Sequence, residues 1–293
     1  YLAKPDKNTR GIPKYSRLQQ LPEAITRADN IAYRQNIANR LWYLMMGRGL
    51  VEPLDMFHEG NAPTHPELLK LIADDLHQHQ YDIRYFLKQL ALTQAYQRSS
   101  LSKAGEEPEA PRYSAAHMKP LSAEQLAWST MLATGLVEAT RKKTIQSFLA
   151  SKPGDGKATP SAPATWESLQ LHLETKLNEA LQSHVTQFTT AFARTDGPGE
   201  FNATANQALF LANSPLISAW LQPGGDNLVT RLIAQSDSSK LAEELYLSVL
   251  SRLPDATETA QVARFVNAFP ERTTTMQELV RALICSAEFR FNH

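Results

Sequence analysis

The chain of 293 residues is 42% hydrophobic, which is enough to bury an ordinary core without disulfides or structural metals. Basic and acidic residues number 30 each, so the formal charge is zero, and we expect no nucleic-acid partner and no attraction to anionic membranes. The single cysteine, Cys285, excludes an internal disulfide, a cysteine-rich zinc site and a Cys-x-x-Cys-His haem attachment motif within the chain.

Three amphipathic helices are predicted in the first third of the chain. Asn30 caps the first of them, which ends at Gly47-Arg48-Gly49, where glycine can adopt a positive φ. Thr64 and Glu67 have the spacing of a capping box before the second helix, and Asp82 opens the third. Since their apolar residues recur at three and four positions, we expect the three helices to pack together. Those residues are Ile31, Ile37, Leu41, Leu44 and Met45; Leu68, Leu69, Ile72 and Leu76; and Ile83, Phe86, Leu87 and Leu90.

Helical patterns continue to the carboxyl end. Ser122 with Gln125 and Thr204 with Gln207 match capping boxes, and Pro215 restricts or kinks the chain beyond the second of these. The last patterns are Leu241, Leu245 and Val249; Val262, Phe265 and Val266; and Leu279 and Leu283, which follow Thr275-Met276-Gln277-Glu278.

A longer helix is predicted in the middle of the chain. Its packing against other helices of the same chain is the simplest interpretation, and coiled-coil dimerisation is the alternative. The apolar face consists of Trp166, Leu169, Leu173, Leu177, Leu181, His184 and Phe188.

A proline- and glycine-rich segment at residues 151–165 predicts a flexible linker or insertion. It separates an amino-terminal helical half, residues 1–150, from a carboxyl-terminal half, residues 166–293, and we expect the halves to pack as one domain. Because no stretch alternates apolar and polar residues as a strand would, the predicted fold is all-α, a multi-helix globular bundle with irregular loops.

Long apolar segments are absent from the sequence. No apolar run reaches the roughly 18 residues of a transmembrane helix, so no integral membrane segment is predicted, and no apolar targeting segment opens the chain. Since Tyr1 stands where an initiator methionine would, we expect a mature or excised piece of a longer protein.

The most suggestive polar group is formed by Arg40, Asp55, His58, Glu59 and His65. Carboxylates and imidazoles converging on one loop could bind Zn²⁺ or transfer a proton, and the arginine could bind an anion or fix a buried loop. The spacing fits no established zinc pattern, and a histidine at a helix start commonly bonds its own loop. We therefore favour a structural role over a functional site and predict no metal and no cofactor.

Two further groups carry polar chemistry. Asp74, Asp75, His77 and His79 lie close in sequence, but residues two apart on a helix diverge, so we expect a solvated face. Cys285 follows Leu283 and Ile284, where a small buried side chain is the usual role and a catalytic nucleophile the alternative.

Several segments resemble one bacterial family in their order and spacing. They are Asn39-Arg40-Leu41-Trp42, Gly47-Arg48-Gly49-Leu50-Val51, Thr64-His65-Pro66-Glu67-Leu68-Leu69, Tyr96-Gln97-Arg98-Ser99-Ser100, Asn206-Gln207-Ala208-Leu209-Phe210-Leu211-Ala212-Asn213-Ser214, Leu245-Tyr246-Leu247, Arg252-Leu253-Pro254 and Ser286-Ala287-Glu288-Phe289. The family is PSD1, the planctomycete-specific carboxyl-terminal domain of unknown function in exported cytochrome-associated proteins.

The resemblance implies an exported bacterial protein, located in the periplasm or outside the cell. It also implies companion domains elsewhere in the polypeptide, sometimes a c-type haem domain or a module resembling a sugar-binding domain. The family provides no catalytic residues that could be assigned to this chain.

Three functions remain open. The favoured one is an interaction or scaffolding domain, bound to other domains or proteins of an exported assembly, with the oligomeric state undetermined. The second is a hydrolase or lyase acting on an extracellular substrate such as polysaccharide through Asp55, His58 and His65. The third is an accessory domain that docks a c-type haem domain.

Overall fold

The computed structural model describes residues 14–100, 113–150, 166–192 and 204–292, together with residues 2, 4, 6–8 and 11. The predicted linker, residues 151–165, lies outside the described residues. Helices dominate what is described, so the predicted all-α fold is confirmed. Among the described helices, none is both long enough and apolar enough to cross a lipid bilayer.

The helices of the first part of the chain are α1 Arg17–Ile25, α2 Ile31–Met46, α3 Pro66–Gln78, α4 Ile83–Ala91, α5 Ala123–Thr134, α6 Leu136–Ala150 and α7 Trp166–Ala191. Those that follow are α8 Ala205–Asn213, α9 Pro215–Trp220, α10 Leu228–Ala234, α11 Ser238–Leu250, α12 Ala256–Ala268, α13 Arg272–Ile284 and α14 Ala287–Arg290. Two short strands, β1 Lys119–Pro120 and β2 Phe291–Asn292, pair with one another.

Residue contacts divide the chain into two compact units. Unit 1 ends at Lys119, and unit 2 covers Pro120–Asn292. The helices α5, α6 and α7 all belong to unit 2 and pack on one another. The division into halves at residues 151–165 stays a prediction.

Unit 1 is built around α2, α3 and α4, which pack together as predicted. The side chain of Asn30 accepts a hydrogen bond from the Tyr33 N–H, and Gly47 ends α2 with a φ of +80°. Leu44 is exposed rather than buried, because the buried face of α2 includes Ala38 and Trp42. The buried core is Ala38, Leu41, Trp42, Met46, Leu50, Val51, Leu69, Ile72, Ala73, Leu76, Phe86, Leu90 and Tyr113.

The predicted capping box at Thr64 is wrong. Helix α3 has Pro66 at its first position, where the missing N–H costs nothing, and His65 stands at its N-cap without a side-chain cap bond. The Thr64 hydroxyl and N–H instead donate to the Leu50 carbonyl, at 3.1 and 2.8 Å. A tertiary acceptor has therefore taken the hydroxyl that the local pattern assigned to capping.

Unit 2 has its own core, to which α5, α7 and α10 through α13 contribute. The capping boxes at Ser122 and Thr204 are confirmed, and Pro215 starts a new helix rather than kinking an old one. Helix α13 begins at Arg272, one turn before Thr275, whose hydroxyl donates to the Glu271 carbonyl. Thr275 is therefore an interior residue and not a cap.

The long predicted helix is α7, and it packs within the chain. Leu177, Leu181 and Phe188 are buried against unit 2, where α7 contacts α5 and α6. This confirms the intrachain interpretation of the apolar face from Leu177 to Phe188, whereas the side chain of Trp166 lies outside the described residues.

His184 on α7 is the one residue of that face with a titratable ring. The ring meets Trp220 edge-on, with centroids 5.4 Å apart, and its Nδ1 is buried without a hydrogen-bond partner in the described structure. Burial lowers the pKa of His184 because the protonated ring would lose its hydration.

We predict that unit 2 loses stability as the pH falls below about 6.5, partly through His184. The unfolded chain binds a proton on His184 at the ordinary pKa, whereas the folded chain binds it only at a lower pH. Each unit by which the pH falls in this range therefore lowers the free energy of unfolding by less than about 1.4 kcal/mol. Urea unfolding at about pH 8 and pH 5 should show a smaller loss for His184→Leu than for the wild type. At pH 8 the His184 ring is neutral in both the folded and the unfolded wild type, so the difference in stability between the two proteins at that pH measures the packing effect alone. Equal losses in the two proteins would contradict the prediction.

Candidate functional site

The predicted polar cluster in unit 1 is only partly brought together. The Arg40 Nη2 lies 2.5 Å from Asp55 Oδ1, and its Nε donates to Asn36 Oδ1 at 3.0 Å. Both partners of the ion pair are exposed, and exposed pairs contribute only about 0–1 kcal/mol. Arg40 therefore does not fix a buried loop.

The other members of the cluster bond within their own loop. The Nδ1 of His58 accepts from the Gly60 N–H at 3.1 Å, and the Nδ1 of His65 lies 3.2 Å from the Thr64 hydroxyl. Glu59 is exposed. Among the described residues, no three His, Cys, Asp or Glu side chains are grouped so that they could hold a metal ion. A functional role for the cluster stays a prediction.

Asn39 is the residue that fixes the buried loop after α2. Its Oδ1 accepts from the N–H groups of Leu50 and Val51, at 2.7 and 3.0 Å, and its Nδ2 donates to the Val51 carbonyl at 3.0 Å. The residue is 1% exposed. One side chain thus supplies three hydrogen bonds to backbone groups that water does not reach.

Two glycines give this loop its path. A Cβ at Gly47, whose φ is +80°, would lie 2.7 Å from Lys119 Cγ, and a Cβ at Gly49 would lie 2.7 Å from the Val51 carbonyl oxygen. Neither position has room for a side chain. Packing therefore requires glycine at positions 47 and 49.

Tyr113 closes the same loop from a distant part of the sequence. Its hydroxyl donates to the Gly49 carbonyl at 2.9 Å, and its ring lies edge-on to Trp42 with centroids 5.3 Å apart. His65 flanks the ring at 6.0 Å. Burial raises the pKa of Tyr113, so the hydroxyl stays a donor at neutral pH.

Lys119 completes the arrangement at the end of α2. Its Nζ donates to the Met45 carbonyl and lies 5.5 Å from the centre of the Tyr96 ring. Burial lowers the pKa of the Lys119 ammonium. The cation here satisfies a helix carbonyl, which is the favourable place for a positive charge.

The chief polar network of unit 2 is centred on Arg252. It donates two hydrogen bonds to each of two carboxylates, to Glu258 at 2.7 and 2.8 Å and to Glu288 at 2.5 and 2.8 Å. Its guanidinium also lies 5.2 Å from the centre of the Tyr246 ring. The hydrogen bonds from Arg252 lower the pKa of Glu258, and those to both glutamates raise the pKa of Arg252. Four donors in a rigid fork hold α11, α12 and α14 together.

Arg281 on α13 holds a further segment of the second unit. It donates to the Ala212 carbonyl at 2.7 Å and to the Ser218 hydroxyl at 3.2 Å. It thus joins α13 to the ends of α8 and α9. The segments that carry the resemblance, in both units, lie in helices as well as in the loops between them.

The predicted solvated face is only partly exposed: His79 is exposed, whereas Asp74, Asp75 and His77 are half-buried, and the His77 Nδ1 is buried without a hydrogen-bond partner in the described structure. Asp75 and His79 form a 3.4 Å pair, and Asp74 pairs with Arg34 at the same distance. Cys285 is exposed at the C-cap of α13, so the prediction of a buried side chain is wrong: the helix has already ended there. Although the residue as a whole is exposed, desolvation of the thiol by the surrounding protein raises the pKa of Cys285, which reduces the reactive thiolate at neutral pH.

A groove between α11, α12 and α13 is the candidate binding site. Its volume is about 480 Å³, and most of its surface is apolar. Phe269 on one wall is 54% exposed, which is unusual for a large aromatic side chain. The lining residues are Leu245, Tyr246, Gln261, Val262, Arg264, Phe265, Ala268, Phe269, Glu278, Leu279, Ala282 and Leu283.

The groove offers hydrophobic burial with a charge on each side. Arg264 lies on α12 and Glu278 on α13, so the charged groups belong to opposite walls. An apolar trough with polar edges accommodates the apolar face of an amphipathic helix.

Sequence reasoning missed the groove and the Arg252 network. Val262, Phe265 and Phe269 have the spacing of one helical face, but that spacing does not distinguish a buried face from an exposed one. Arg252 and Glu288 both lie in segments of the resemblance and have opposite charges, which could have indicated a pair.

Comparison with protein families gives one result. A model of PSD1, described as protein of unknown function (DUF1553), matches residues 17–266, from the start of α1 to most of α12. Comparison with curated proteins and with solved structures gives no match.

Proposed function

Since the chain belongs to the PSD1 family of proteins of unknown function, we propose that it is a helical interaction or scaffolding domain. The groove between α11, α12 and α13 carries the proposal, as its binding surface. Its occupant is the apolar face of an amphipathic helix.

The walls of the groove support a helical occupant. Phe265 on α12 and Phe269 at its C-cap give one wall two aromatic side chains that are not buried, whereas Val262 belongs to the core. Leu279 and Leu283 stand opposite, one helical turn apart. Complete burial of one such large apolar side chain contributes about 1.5–3 kcal/mol, so covering the exposed part of Phe269 is a substantial gain.

The polar residues support the same role. Hydrogen bonds within the protein engage the polar side chains of Asn39, Arg252 and Arg281. Such a chain serves as a rigid support for a binding surface. The predicted roles of hydrolase or lyase and of docking a c-type haem domain stay predictions.

The proposed setting is an assembly of an exported bacterial protein, in the periplasm or outside the cell. The resemblance to exported cytochrome-associated proteins supports it. Detection of the protein in the periplasmic or secreted fraction of its source cells would test it, and a cytoplasmic location would overturn it.

We predict that helices selected to bind the full chain will occupy the groove. A displayed library of amphipathic helices of about 15 residues is the probe, since shorter helices are marginal in water. Ala268→Glu places a carboxylate in the groove, and we expect it to weaken the selected helices at least about tenfold, or 1.4 kcal/mol.

Ala260→Glu is the matched control for this experiment. Both alanines are exposed on α12, but Ala260 does not line the groove. We expect the control to retain wild-type affinity. Selected helices that bind both variants equally would show that the groove is not the binding surface.

A further inference from the structure

We propose that the groove is filled by α1 of a second copy of the chain. This inference rests on the proposed function and specifies the partner of the same surface. It starts from α1, where apolar side chains are exposed without an evident reason.

Helix α1 has an apolar stripe that faces solvent. Leu18 is 78% exposed and Leu21 is 51% exposed, and both lie on the same side as Ile25. Nine residues are too few for a stable isolated helix, because stable ones need about 12–15. Pro22 inside α1 removes one more backbone hydrogen bond, and the side chain of the N-cap residue, Ser16, makes no cap hydrogen bond. Such a helix gains stability only by packing its stripe on another surface.

The stripe and the groove match in spacing. Leu18, Leu21 and Ile25 have the pattern i, i+3, i+7, and so do Val262, Phe265 and Phe269 on the groove wall. The α1 row rises about 10 Å along its helix. On the groove wall, Val262 is buried and Phe269 is the C-cap residue just beyond α12, so the stripe can lie against Phe265 and Phe269.

Symmetry doubles this contact. If α1 of each copy enters the groove of the other, the two contacts are identical, which is the arrangement of a two-fold dimer. Half the lateral surface of a nine-residue helix is roughly 250 Å². With a similar loss from the groove, two contacts bury roughly 1,000 Å², just below the roughly 1,200 Å² of the smallest stable interfaces. The dimer should therefore be weak and depend on concentration.

Charge does not oppose the association. The formal net charge of the chain is zero, so two copies meet without the long-range repulsion that keeps highly charged proteins apart. No acidic residue lies in the first turn of α1 and no basic residue in its last. A neutral helix can enter a groove whose Arg264 and Glu278 stay at the edges.

Sedimentation equilibrium of the full chain from about 1 to 500 μM tests the proposal, because weak interfaces of this size have micromolar dissociation constants. We expect a monomer–dimer equilibrium in the wild type. Leu18→Glu and Ala268→Glu should each weaken dimerisation at least about tenfold. The matched controls Leu171→Glu, an exposed leucine on α7, and Ala260→Glu should dimerise as the wild type does.

Mixing the two weakened variants gives the decisive measurement. In the mixed dimer, the intact α1 of Ala268→Glu meets the intact groove of Leu18→Glu, so one of the two contacts is restored. We expect the mixture to associate more tightly than either variant alone. A loss of folding in either variant could not produce this restoration.

Three outcomes would overturn the inference. They are a monomer at every concentration, a dimer that Leu18→Glu leaves unchanged, and a mixture no tighter than its components. If the chain stays monomeric but selected helices bind and respond to Ala268→Glu, the inference fails and the proposed function stands. If Ala268→Glu changes neither the dimerisation nor the binding of selected helices, both the inference and the proposed function fail.

Discussion

Asn39→Leu is expected to destabilise unit 1 by about 3 kcal/mol or more. The substitution removes Oδ1, the single acceptor that the Leu50 and Val51 N–H groups share. It also removes Nδ2, the donor to the Val51 carbonyl. Each buried group left without a partner costs about 1–3 kcal/mol, and the side chain that replaces Asn39 cannot satisfy any of them. Hydrogen exchange of peptides from α2 to α4 measures the loss directly, since their slowest amides report the stability of the unit.

Asn36→Leu is the control for this prediction. Asn36 lies on the same helix, and the bond that its side chain accepts comes from Arg40, which is exposed. We expect it to cost less than about 1 kcal/mol, as surface changes usually do. Similar protection in the Asn39→Leu variant and the wild type would show that the loop keeps its path without these bonds.

Local signals in the sequence identified the capped starts of four helices. Asn30, Asp82, Ser122 and Thr204 cap helices because each side chain reaches an amide only three residues away. The interpretation fails at Thr64, where a carbonyl 14 residues away accepts the hydroxyl. The residues around Thr64 do not indicate that the distant Leu50 carbonyl is its acceptor.

The candidate sites depended on non-local contacts and were harder to predict. Asn39 is a polar residue between Ala38 and Leu41 on a buried face, which indicates an internal role. Its partners lie in a loop without periodicity, so the sequence does not reveal them. Asp55, His58 and His65 are close in sequence, but an irregular loop can turn their side chains toward separate partners.

The groove shows a different limit of the sequence. Amphipathic periodicity identifies the apolar face of α12, yet it does not say whether the chain itself covers that face. The structure leaves Phe269 exposed beside a concavity. The proposed binding surface therefore consists of apolar residues that, in the sequence, resemble core residues.

Arg252→Met is expected to destabilise unit 2 by about 2 kcal/mol. Hydrogen bonds to charged groups contribute about 1.5–3 kcal/mol, and the partial exposure of Arg252 places the effect below the top of that range. The loss should be large because Glu258 and Glu288 would both lose the guanidinium that they share. Urea unfolding at neutral pH measures it.

The same variant should change how stability depends on acid. Hydrogen bonds from Arg252 lower the folded-state pKa of Glu258, so this carboxylate stabilises the fold above its ordinary pKa, near 4.5, and the stabilisation disappears as the pH falls. Arg252→Met removes the cause of the lowered pKa. The difference in stability between the wild type and the variant should therefore shrink between about pH 5 and pH 3.

Arg141→Met provides a matched comparison for both measurements. Arg141 also approaches two carboxylates, Glu138 at 3.5 Å and Glu174 at 3.3 Å, and its side chain is 40% exposed against 38% for Arg252. It lacks the four short hydrogen bonds, so we expect its replacement to cost less than about 1 kcal/mol at neutral pH. If the two arginine variants lost equal stability, proximity to carboxylates alone would explain the effect. A larger loss for Arg252 would assign it to the forked geometry that joins α11, α12 and α14 and thereby supports two walls of the groove.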